Sequence, residues 1–159
     1  MLRRQLLTLM GTLGLTHHLT SAHASDGAKI VPLRLSDEEW KKRLGSAQYD
    51  VLRKEGTERA GTSPLNNEKR KGRYHCAGCD LPLFTSEMKY DSGTGWPSFF
   101  TALPGAVQTK TDFKHVFPRT EYHCARCEGH QGHVFNDGPQ PTGKRFCNNG
   151  VALTFKGAV

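Results

Sequence analysis

The sequence lacks any apolar run long enough to cross a lipid bilayer. The apolar stretch Leu6–Thr16 has 11 residues, whereas a membrane-spanning helix needs about 20. No cysteine precedes Cys76, so a lipid anchor near the N-terminus is not expected. The chain has a net charge of +7, but apart from residues 69–71 its basic residues are scattered. Nucleic-acid binding requires a concentrated basic patch, and we expect neither that function nor stable insertion of the processed chain into a membrane.

The first 24 residues have the pattern of an export signal. A short basic segment precedes the apolar stretch, and residues 22–24 (Ala-His-Ala) fit a cleavage site that would leave Ser25 as the new N-terminus. The paired arginines at positions 3 and 4 also fit a twin-arginine signal. We expect residues 1–24 to be the signal peptide of an exported, bacterial periplasmic protein, followed by a linker over residues 25–35. The alternatives are a cytoplasmic protein and a protein tethered to a membrane by an uncleaved leader.

The remaining chain has the length of a single domain. Ser36 followed by Glu39 forms a capping box that predicts the start of a helix, and Ser46 predicts the start of a second helix. From Gly72 onward, short segments alternate apolar and polar residues with period two, and turn residues separate them. The clearest segments are residues 74–76, 113–117 and 151–155. The pattern predicts a mainly β fold, a sandwich or open barrel, behind a short N-terminal helical arm.

Four of the five cysteines form two C-x-x-C pairs. The pairs are Cys76 with Cys79 and Cys124 with Cys127. Each pair lets two thiolates from one turn reach the same ion, and two pairs complete the tetrahedral site that zinc prefers. Because protein would fill all four positions, this single zinc ion would be structural rather than catalytic. The alternative, in an oxidising compartment, is that the pairs form disulfides or redox-active dithiols.

The fifth cysteine, Cys147, has neighbours suited to a reactive thiol. On a strand, Arg145, Cys147 and Asn149 would point to the same face, and a cation beside a thiol favours the nucleophilic thiolate. Three polar residues that could supply a proton or orient its donor precede it, namely His130, His133 and Asp137. The alternative is that Cys147 is a small buried core residue without chemistry.

Five sequence motifs occur in a fixed order along the chain. They are CAGC, SGTGWPSF, RTEYHCARC, GHQGHVFNDGP and RFCNNGVALTF, starting at positions 76, 92, 119, 129 and 145. In kind and in order they resemble those of the type B methionine sulfoxide reductases, which reduce the R epimer of methionine sulfoxide. The resemblance spans residues 36–157 and implies that they form one reductase domain of two antiparallel sheets with a structural zinc. It also implies that the partners are oxidised proteins, which the enzyme repairs.

The same resemblance implies a role for each residue of the Cys147 set. Cys147 would attack the sulfoxide sulfur, while His133, assisted by His130, would protonate the sulfoxide oxygen. Arg145 would hold the thiolate. Asp137 would orient the arginine and histidine side chains.

Three further residues would contact or orient the substrate by this resemblance. Trp96 would pack its indole on the ε-methyl group, and Phe135 would also lie at the substrate. Asn149 would position the substrate or the catalytic groups. A flat apolar wall facing the methyl group, with donors facing the oxygen, can distinguish the two epimers of a sulfoxide.

Thr94 stands where many members of that family have a second redox cysteine. The reaction leaves a sulfenic acid on Cys147, which the second cysteine would convert to a disulfide that thioredoxin then opens. Threonine cannot form a disulfide. The sequence therefore predicts that an external thiol, from a thioredoxin-like protein, a glutaredoxin or a small molecule, reduces Cys147 directly. We expect a monomer.

Two other function classes fit parts of the sequence. A β module clipped by zinc that binds a partner protein without chemistry predicts an inert Cys147. A thiol–disulfide oxidoreductase predicts redox-active C-x-x-C dithiols and no zinc.

Overall fold

The computed structural model describes residues 30–114 and 116–158, in which short strands dominate and two helices lie near the start. The expected signal peptide, and residues 25–29 of the expected linker, lie outside the described residues. Helices α1 and α2 are Asp37–Arg43 and Ser46–Lys54, and short 3-10 helices lie at Pro64–Asn67, Ser86–Met88 and Gly150–Ala152. The strands are β1 Gly72–Cys76, β2 Pro82–Thr85, β3 Lys89–Tyr90, β4 Ser98–Phe99, β5 Val107–Asp112, β6 Arg119–Cys124, β7 His130–Phe135, β8 Arg145–Asn148 and β9 Leu153–Gly157. Within these ranges, none of the helices has both the length and the apolar character needed to cross a membrane.

The strands form two antiparallel sheets. The smaller sheet has three strands in the order β2-β1-β9, and the larger has six in the order β3-β4-β8-β7-β6-β5. Every strand pairing in the described part of the chain is antiparallel. The strand expected over residues 151–155 begins only at Leu153, because the preceding residues form a 3-10 turn. The predicted mainly β fold of two antiparallel sheets with a short N-terminal helical arm is confirmed.

Aromatic side chains fill the space between the two sheets. Phe84 of β2 stacks on Phe99 of β4 with ring centroids 4.0 Å apart, and Tyr74 of β1 packs edge-on against Phe99 at 5.0 Å. Tyr122 of β6 is fully buried and contacts the edge of both Phe84 and Phe146 of β8. Burying one such ring contributes about 1.5–3 kcal/mol, so this cluster fixes β8 and its neighbours against the smaller sheet.

One predicted strand does not form. The alternation over residues 113–117 predicts a strand, but β5 ends at Asp112. The side chains of Phe113, Val116 and Phe117 are 75%, 92% and 79% exposed, and no described residue from 113 to 118 lies in a strand. The prediction was wrong because the chain reverses here between β5 and β6, so the apolar side chains have no sheet face to cover.

The N-terminal helical arm packs on the turns that carry the paired cysteines. Its capping box is present, since Ser36 Oγ accepts the backbone N–H of Glu39 at 3.3 Å and the Glu39 carboxylate accepts the backbone N–H of Ser36 at 2.8 Å. Arg43 of α1 donates to the carbonyl of Gly78 at 2.7 Å. Arg53 of α2 donates to the carbonyl of Cys127 at 2.8 Å. Each helix therefore binds one of the two C-x-x-C turns through an arginine.

Candidate active site and metal centre

Cys147 lies on β8, near the middle of the six-stranded sheet. It is the cross-strand partner of Ser98 on β4 and of His133 on β7. Its neighbour Phe146 packs against the core, so the alternation of a strand turns Cys147 to the opposite face, where it is partly exposed. Gly132 on β7 permits this close approach of strands, because a β-carbon there would overlap the backbone carbonyl of Cys147.

A cavity of about 120 Å³ opens over Cys147. Five residues that the sequence analysis placed at the site line it, namely Trp96, His133, Phe135, Cys147 and Asn149. Three lining residues were not identified from the sequence: Thr57, Arg119 and Asn148. The other predicted residues, His130, Arg145 and Asp137, are not part of the lining. Sites for drug-sized ligands occupy about 300–1,000 Å³, so this cavity holds only something as small as one side chain.

Arg145 is held from two sides next to the cavity. Its guanidinium donates to both carboxylate oxygens of Asp137, at 2.9 and 2.8 Å, and lies 4.3 Å from the ring centre of Phe135. Burial raises the pKa of the Cys147 thiol above its ordinary value, and the charge of Arg145 opposes this shift without cancelling it. The resting residue at neutral pH is therefore a thiol. Arg145 lowers the pKa of Cys147, as the sequence predicted, but burial raises that pKa by more.

The two histidines face carboxylates that the sequence analysis did not identify. His133 Nε2 lies 2.8 Å from Oδ2 of Asp112. His130 Nδ1 lies 2.9 Å from Oε1 of Glu121, close but without the alignment of a hydrogen bond, and both side chains are almost fully buried. The two imidazole rings lie edge to face with centroids 5.5 Å apart. Among the described contacts, Asp137 bonds to neither histidine, so Asp112 and Glu121 take the place that Asp137 was expected to fill beside them.

Asp112 ties His133 to the rim of the cavity. Its carboxylate accepts the backbone N–H of Lys114 at 2.8 Å and the guanidinium of Arg119 at 2.8 Å. These bonds, with that of Lys114 foremost and that of His133 next, hold the pKa of Asp112 well below its usual range. Burial lowers the pKa of His133, while the hydrogen bond that its Nε2–H donates to Asp112 opposes that shift. At neutral pH the pair is a neutral imidazole beside a carboxylate.

Glu58 organises another side of the cavity. Its carboxylate accepts the backbone N–H groups of Gly150 at 2.5 Å and Val151 at 3.0 Å. Its own backbone N–H donates to the side-chain oxygen of Asn149 at 3.0 Å, and its backbone carbonyl accepts the indole N–H of Trp96 at 3.1 Å. One residue therefore positions two side chains that line the cavity. It lies in a polar loop without hydrophobic periodicity, so no pattern in the sequence marks it.

The four paired cysteines meet in one buried cluster. All four sulfur atoms lie within 4.8 Å of one another, with Cys76 and Cys127 3.6 Å apart and Cys79 and Cys124 3.4 Å apart. Tetrahedral coordination at a Zn–S distance of about 2.3 Å places sulfurs about 3.8 Å apart, whereas a disulfide needs about 2.0 Å. These two close contacts join sulfurs from different turns. The predicted convergence of the four cysteines on one candidate metal site is confirmed, and this donor set fits a structural metal.

The match to known families covers most of the chain. Residues 44–157 match the family model described as the SelR domain. The chain belongs to the SelR domain family. A relative from Oryza sativa subsp. japonica, named peptide methionine sulfoxide reductase B1, chloroplastic, is 54% identical over 77% of this chain and 58% of its own length. A relative from Agrobacterium fabrum, named peptide methionine sulfoxide reductase MsrB, is 52% identical over 76% of this chain and 90% of its own length.

The relatives differ in how much of their own length this SelR domain protein spans. It spans 58% of the rice protein and 59% of the corresponding Arabidopsis thaliana protein, which is less than two thirds of each. Among solved structures, the Mis18 "Yippee-like" domain shows a partial likeness, with a TM-score of 0.45 and 16% identity over 57% of this chain and 99% of that one.

Hydroxyl groups stand opposite the cysteine of this SelR domain. Thr94 Oγ1 lies 2.8 Å from Ser92 Oγ, which in turn lies 2.8 Å from Ser98 Oγ. Burial dominates the pKa of Cys147, but the side chain of Thr94 is close enough to the thiol to act, like Arg145, in the opposite direction. Ser98 is the cross-strand partner of Cys147, so this chain of hydroxyl groups links position 94 to the strand position beside the cysteine. None of these hydroxyl groups can form a disulfide.

Proposed function

We propose that this protein reduces the R epimer of methionine sulfoxide, mainly in proteins, to methionine. The observation that carries the proposal is the small cavity that brings a partly exposed thiol, Cys147, together with His133 and two aromatic side chains, Trp96 and Phe135. Membership of the SelR domain family and the names of the relatives support the same activity.

The chemical step transfers oxygen from one sulfur atom to another. The thiolate of Cys147 attacks the sulfoxide sulfur while the sulfoxide oxygen takes up a proton. The sulfur–sulfur bond formed by this attack and the sulfur–oxygen bond of the substrate then break as the hydroxyl group passes to Cys147, so methionine leaves and Cys147 becomes a sulfenic acid. The substrate sulfur is reduced by two electrons and the cysteine sulfur is oxidised by two, so the step consumes one proton and no other reactant.

His133 supplies the proton, and Cys147 itself is its source. The free enzyme holds a thiol and a neutral imidazole on neighbouring strands, so one proton moving from the first to the second gives a thiolate and an imidazolium. Asp112 stabilises the imidazolium and Arg145 stabilises the thiolate, although burial opposes both charges. His130 assists by packing against the edge of His133.

The aromatic side of the cavity accounts for the choice of epimer. Trp96 and Phe135 form an apolar wall for the ε-methyl group, and the sulfoxide oxygen faces His133. In the S epimer the methyl group and the oxygen exchange places, which would press a polar oxygen without a donor against the aromatic wall. Asn149 acts by position, since its side-chain amide bonds to Glu58 and to the carbonyl of Gln131.

An external thiol resets the enzyme. The hydroxyl of Thr94 cannot attack a sulfenic acid to give a disulfide, and the other four cysteines belong to the metal cluster. Two equivalents of an external thiol therefore reduce Cys147 and release water, forming the disulfide of the reductant. Thioredoxin-like proteins, glutaredoxins and small thiols have the required chemistry.

The metal cluster holds one structural zinc ion. Cys76, Cys79, Cys124 and Cys127 would be its ligands, and four thiolates leave no coordination position open for a substrate. When bound, zinc joins the turn after β1 to the turn after β6. Its contribution is to stability and not to the reaction.

The decisive experiment is turnover of a peptide carrying methionine R-sulfoxide, with dithiothreitol as reductant. We expect the wild type to reduce the R epimer and not the S epimer, and Cys147→Ser to be inactive while it keeps its metal and its stability. Without reductant, one equivalent of methionine should appear together with a sulfenic acid that mass spectrometry locates at Cys147. A folded, metal-loaded wild type that is inactive on both epimers would refute the proposal in favour of a binding module.

The leader and the oligomeric state are part of the same proposal. The sequence pattern of residues 1–24 supports export to a periplasm with cleavage before Ser25. N-terminal sequencing of the protein from a bacterial host should begin at Ser25, and light scattering should give the mass of a monomer. An intact N-terminus in the cytoplasmic fraction would favour the cytoplasmic alternative.

A further inference from the structure

Three exposed apolar side chains, Phe113, Val116 and Phe117, form what we call the apolar tip of the β5–β6 turn. They are three of the four large hydrophobic side chains that are exposed among the described residues, and the fourth is Val31. Single exposed hydrophobic residues are ordinary on protein surfaces. Three such side chains within five positions of one turn concentrate exposed apolar surface there, and concentrated apolar surface is typical of interaction sites.

The apolar tip extends from the rim of the active-site cavity. Asp112 and Arg119, which flank it, are cross-strand partners, and their side chains are hydrogen-bonded at 2.8 Å. Arg119 lines the cavity, and Asp112 bonds to His133, which also lines it. The turn therefore begins where the cavity lining ends.

The size of the cavity leaves the rest of a polypeptide substrate outside it. About 120 Å³ holds the side chain of methionine sulfoxide but not the residues before and after it. Those residues must lie on the surface around the rim. Methionine occurs mostly in apolar surroundings, and its oxidation disrupts the packing there. A polypeptide that presents an oxidised methionine thus also presents apolar neighbours.

We propose that the apolar tip binds the apolar residues that flank methionine sulfoxide in a polypeptide substrate. The inference rests on the proposed function and adds to it the surface that contacts the residues before and after the methionine sulfoxide. Contact with the tip removes apolar surface of both partners from water, which favours binding in proportion to the area buried. A small substrate without flanking residues gains nothing from it.

The test compares substrates that differ only in the residues beside the sulfoxide. One peptide has leucine on both sides of methionine R-sulfoxide, a second has glycine there, and the third substrate is N-acetyl-methionine R-sulfoxide amide. The variant combines Phe113→Ser, Val116→Ser and Phe117→Ser, and Val31→Ser is the matched control for loss of an exposed apolar side chain elsewhere. All are assayed with dithiothreitol, after thermal unfolding has shown equal stability.

We expect kcat/KM of the triple variant to fall about tenfold on the leucine peptide, a loss of the order that one or two buried apolar contacts produce. On the glycine peptide and the amide it should change less than twofold, and Val31→Ser should resemble the wild type throughout. An equal fall on all three substrates, or no fall on any, would overturn the inference. A loss seen only when thioredoxin replaces dithiothreitol would assign the tip to the reductant instead. A wild type inactive on all three substrates would refute the proposed function itself.

Discussion

The backbone carbonyl of Glu58 accepts the indole N–H of Trp96 at 3.1 Å, although the two residues are 38 positions apart in the chain. The carboxylate of the same glutamate binds the first N–H groups of the 3-10 turn Gly150–Ala152. A loop that belongs to neither sheet therefore connects the aromatic wall of the cavity to the segment that follows Cys147. The geometry of the site depends on this loop as much as on the strands.

Replacing Glu58 by glutamine should loosen the cavity without removing any group that touches the substrate. Glutamine keeps the shape but turns an N–H₂ group, or a single uncharged oxygen, towards two backbone donors. We expect Glu58→Gln to lose about 1–3 kcal/mol of stability and at least tenfold in kcat/KM for the R epimer, with weaker discrimination against the S epimer. Thermal unfolding and kinetics on both epimers measure these effects. Glu87→Gln, at an exposed position, is the control. Unchanged discrimination in a destabilised Glu58→Gln would mean that the glutamate has only a structural role.

Removing the carboxylate of Asp112 should lower the pKa of His133 further. Burial already lowers it, and the hydrogen bond that His133 donates to Asp112 is the main influence that raises it. In Asp112→Asn the imidazolium is stabilised less, so a smaller share of the Cys147–His133 pair is in the reactive thiolate–imidazolium form and kcat should fall at least tenfold. An NMR pH titration, with the His133→Gln variant used to assign the resonance, gives the pKa. A His133 that titrates as in the wild type would contradict this account of the pair.

Placing a cysteine at position 94 should change how the enzyme is reset. The Thr94 hydroxyl is linked through Ser92 to Ser98, which is the cross-strand partner of Cys147. After one turnover without reductant, the wild type should carry a sulfenic acid, whereas Thr94→Cys should carry a disulfide to Cys147 and become a better substrate for thioredoxin. Mass spectrometry with a sulfenic-acid trap distinguishes the two products. Thr109→Cys, on the exposed face of β5, should behave like the wild type. Trapping in Thr94→Cys at the wild-type level would show that the two positions do not meet.

The convergence of the paired cysteines and the placement of Arg145 beside Cys147 could be predicted from the sequence because residue spacing encodes them. The spacing of the two C-x-x-C pairs is visible in the sequence without any knowledge of the fold. The strand period of two places Arg145 and Cys147 on one face. The carboxylates that face the histidines could not be predicted. Asp112 and Glu121 reach His133 and His130 only through the strand register of β5, β6 and β7, which the sequence does not state.

The error at residues 113–117 has a physical cause of the same kind. Alternating apolar residues predict a strand only where a second layer covers one face, and here no described layer covers Phe113, Val116 or Phe117. The alternation of apolar residues is present in the sequence, but in the fold these side chains are exposed and do not lie on a strand. Apolar residues at a turn beside an active site are better explained by an interaction than by burial.

Loss of the metal should destabilise the domain and disturb the site. Gln131 connects the two, since its side-chain amide donates to Cys76 Sγ at 3.4 Å and its backbone carbonyl accepts the side-chain and backbone N–H groups of Asn149 at 3.0 and 2.8 Å. We expect Cys124→Ser to lose its zinc, several kcal/mol of stability and most activity. Metal analysis and thermal unfolding with and without a chelator measure this. Cys147→Ser should keep both the zinc and the stability, and a metal-free protein as stable as the wild type would contradict the structural role.

The shifted pKa values of Cys147 and His133 should give a broad plateau of activity around neutral pH. Burial raises the pKa of Cys147 and lowers the pKa of His133, so at a pH between these two pKa values the free enzyme holds a thiol and a neutral imidazole. This pair carries the same number of protons as the reactive thiolate–imidazolium form. The fraction of that form is then independent of pH. Below the pKa of His133 the pair must lose a proton before it can react, and above the pKa of Cys147 it must gain one. We expect kcat/KM to fall only at a pH below the ordinary pKa range of histidine and only at a pH above the ordinary pKa range of cysteine.

The charge of Arg145 provides the test of that profile. It stabilises the thiolate against burial, so in Arg145→Gln the pKa of Cys147 should rise further and the alkaline limb should move to higher pH. The plateau itself should fall about tenfold or more, because a smaller share of the pair is in the thiolate–imidazolium form at any pH. Asp137→Asn leaves the guanidinium in place but removes a carboxylate that raises the pKa of Cys147, so it should not move the alkaline limb to higher pH. An alkaline limb that moves to lower pH in Arg145→Gln would show that the limb does not report Cys147.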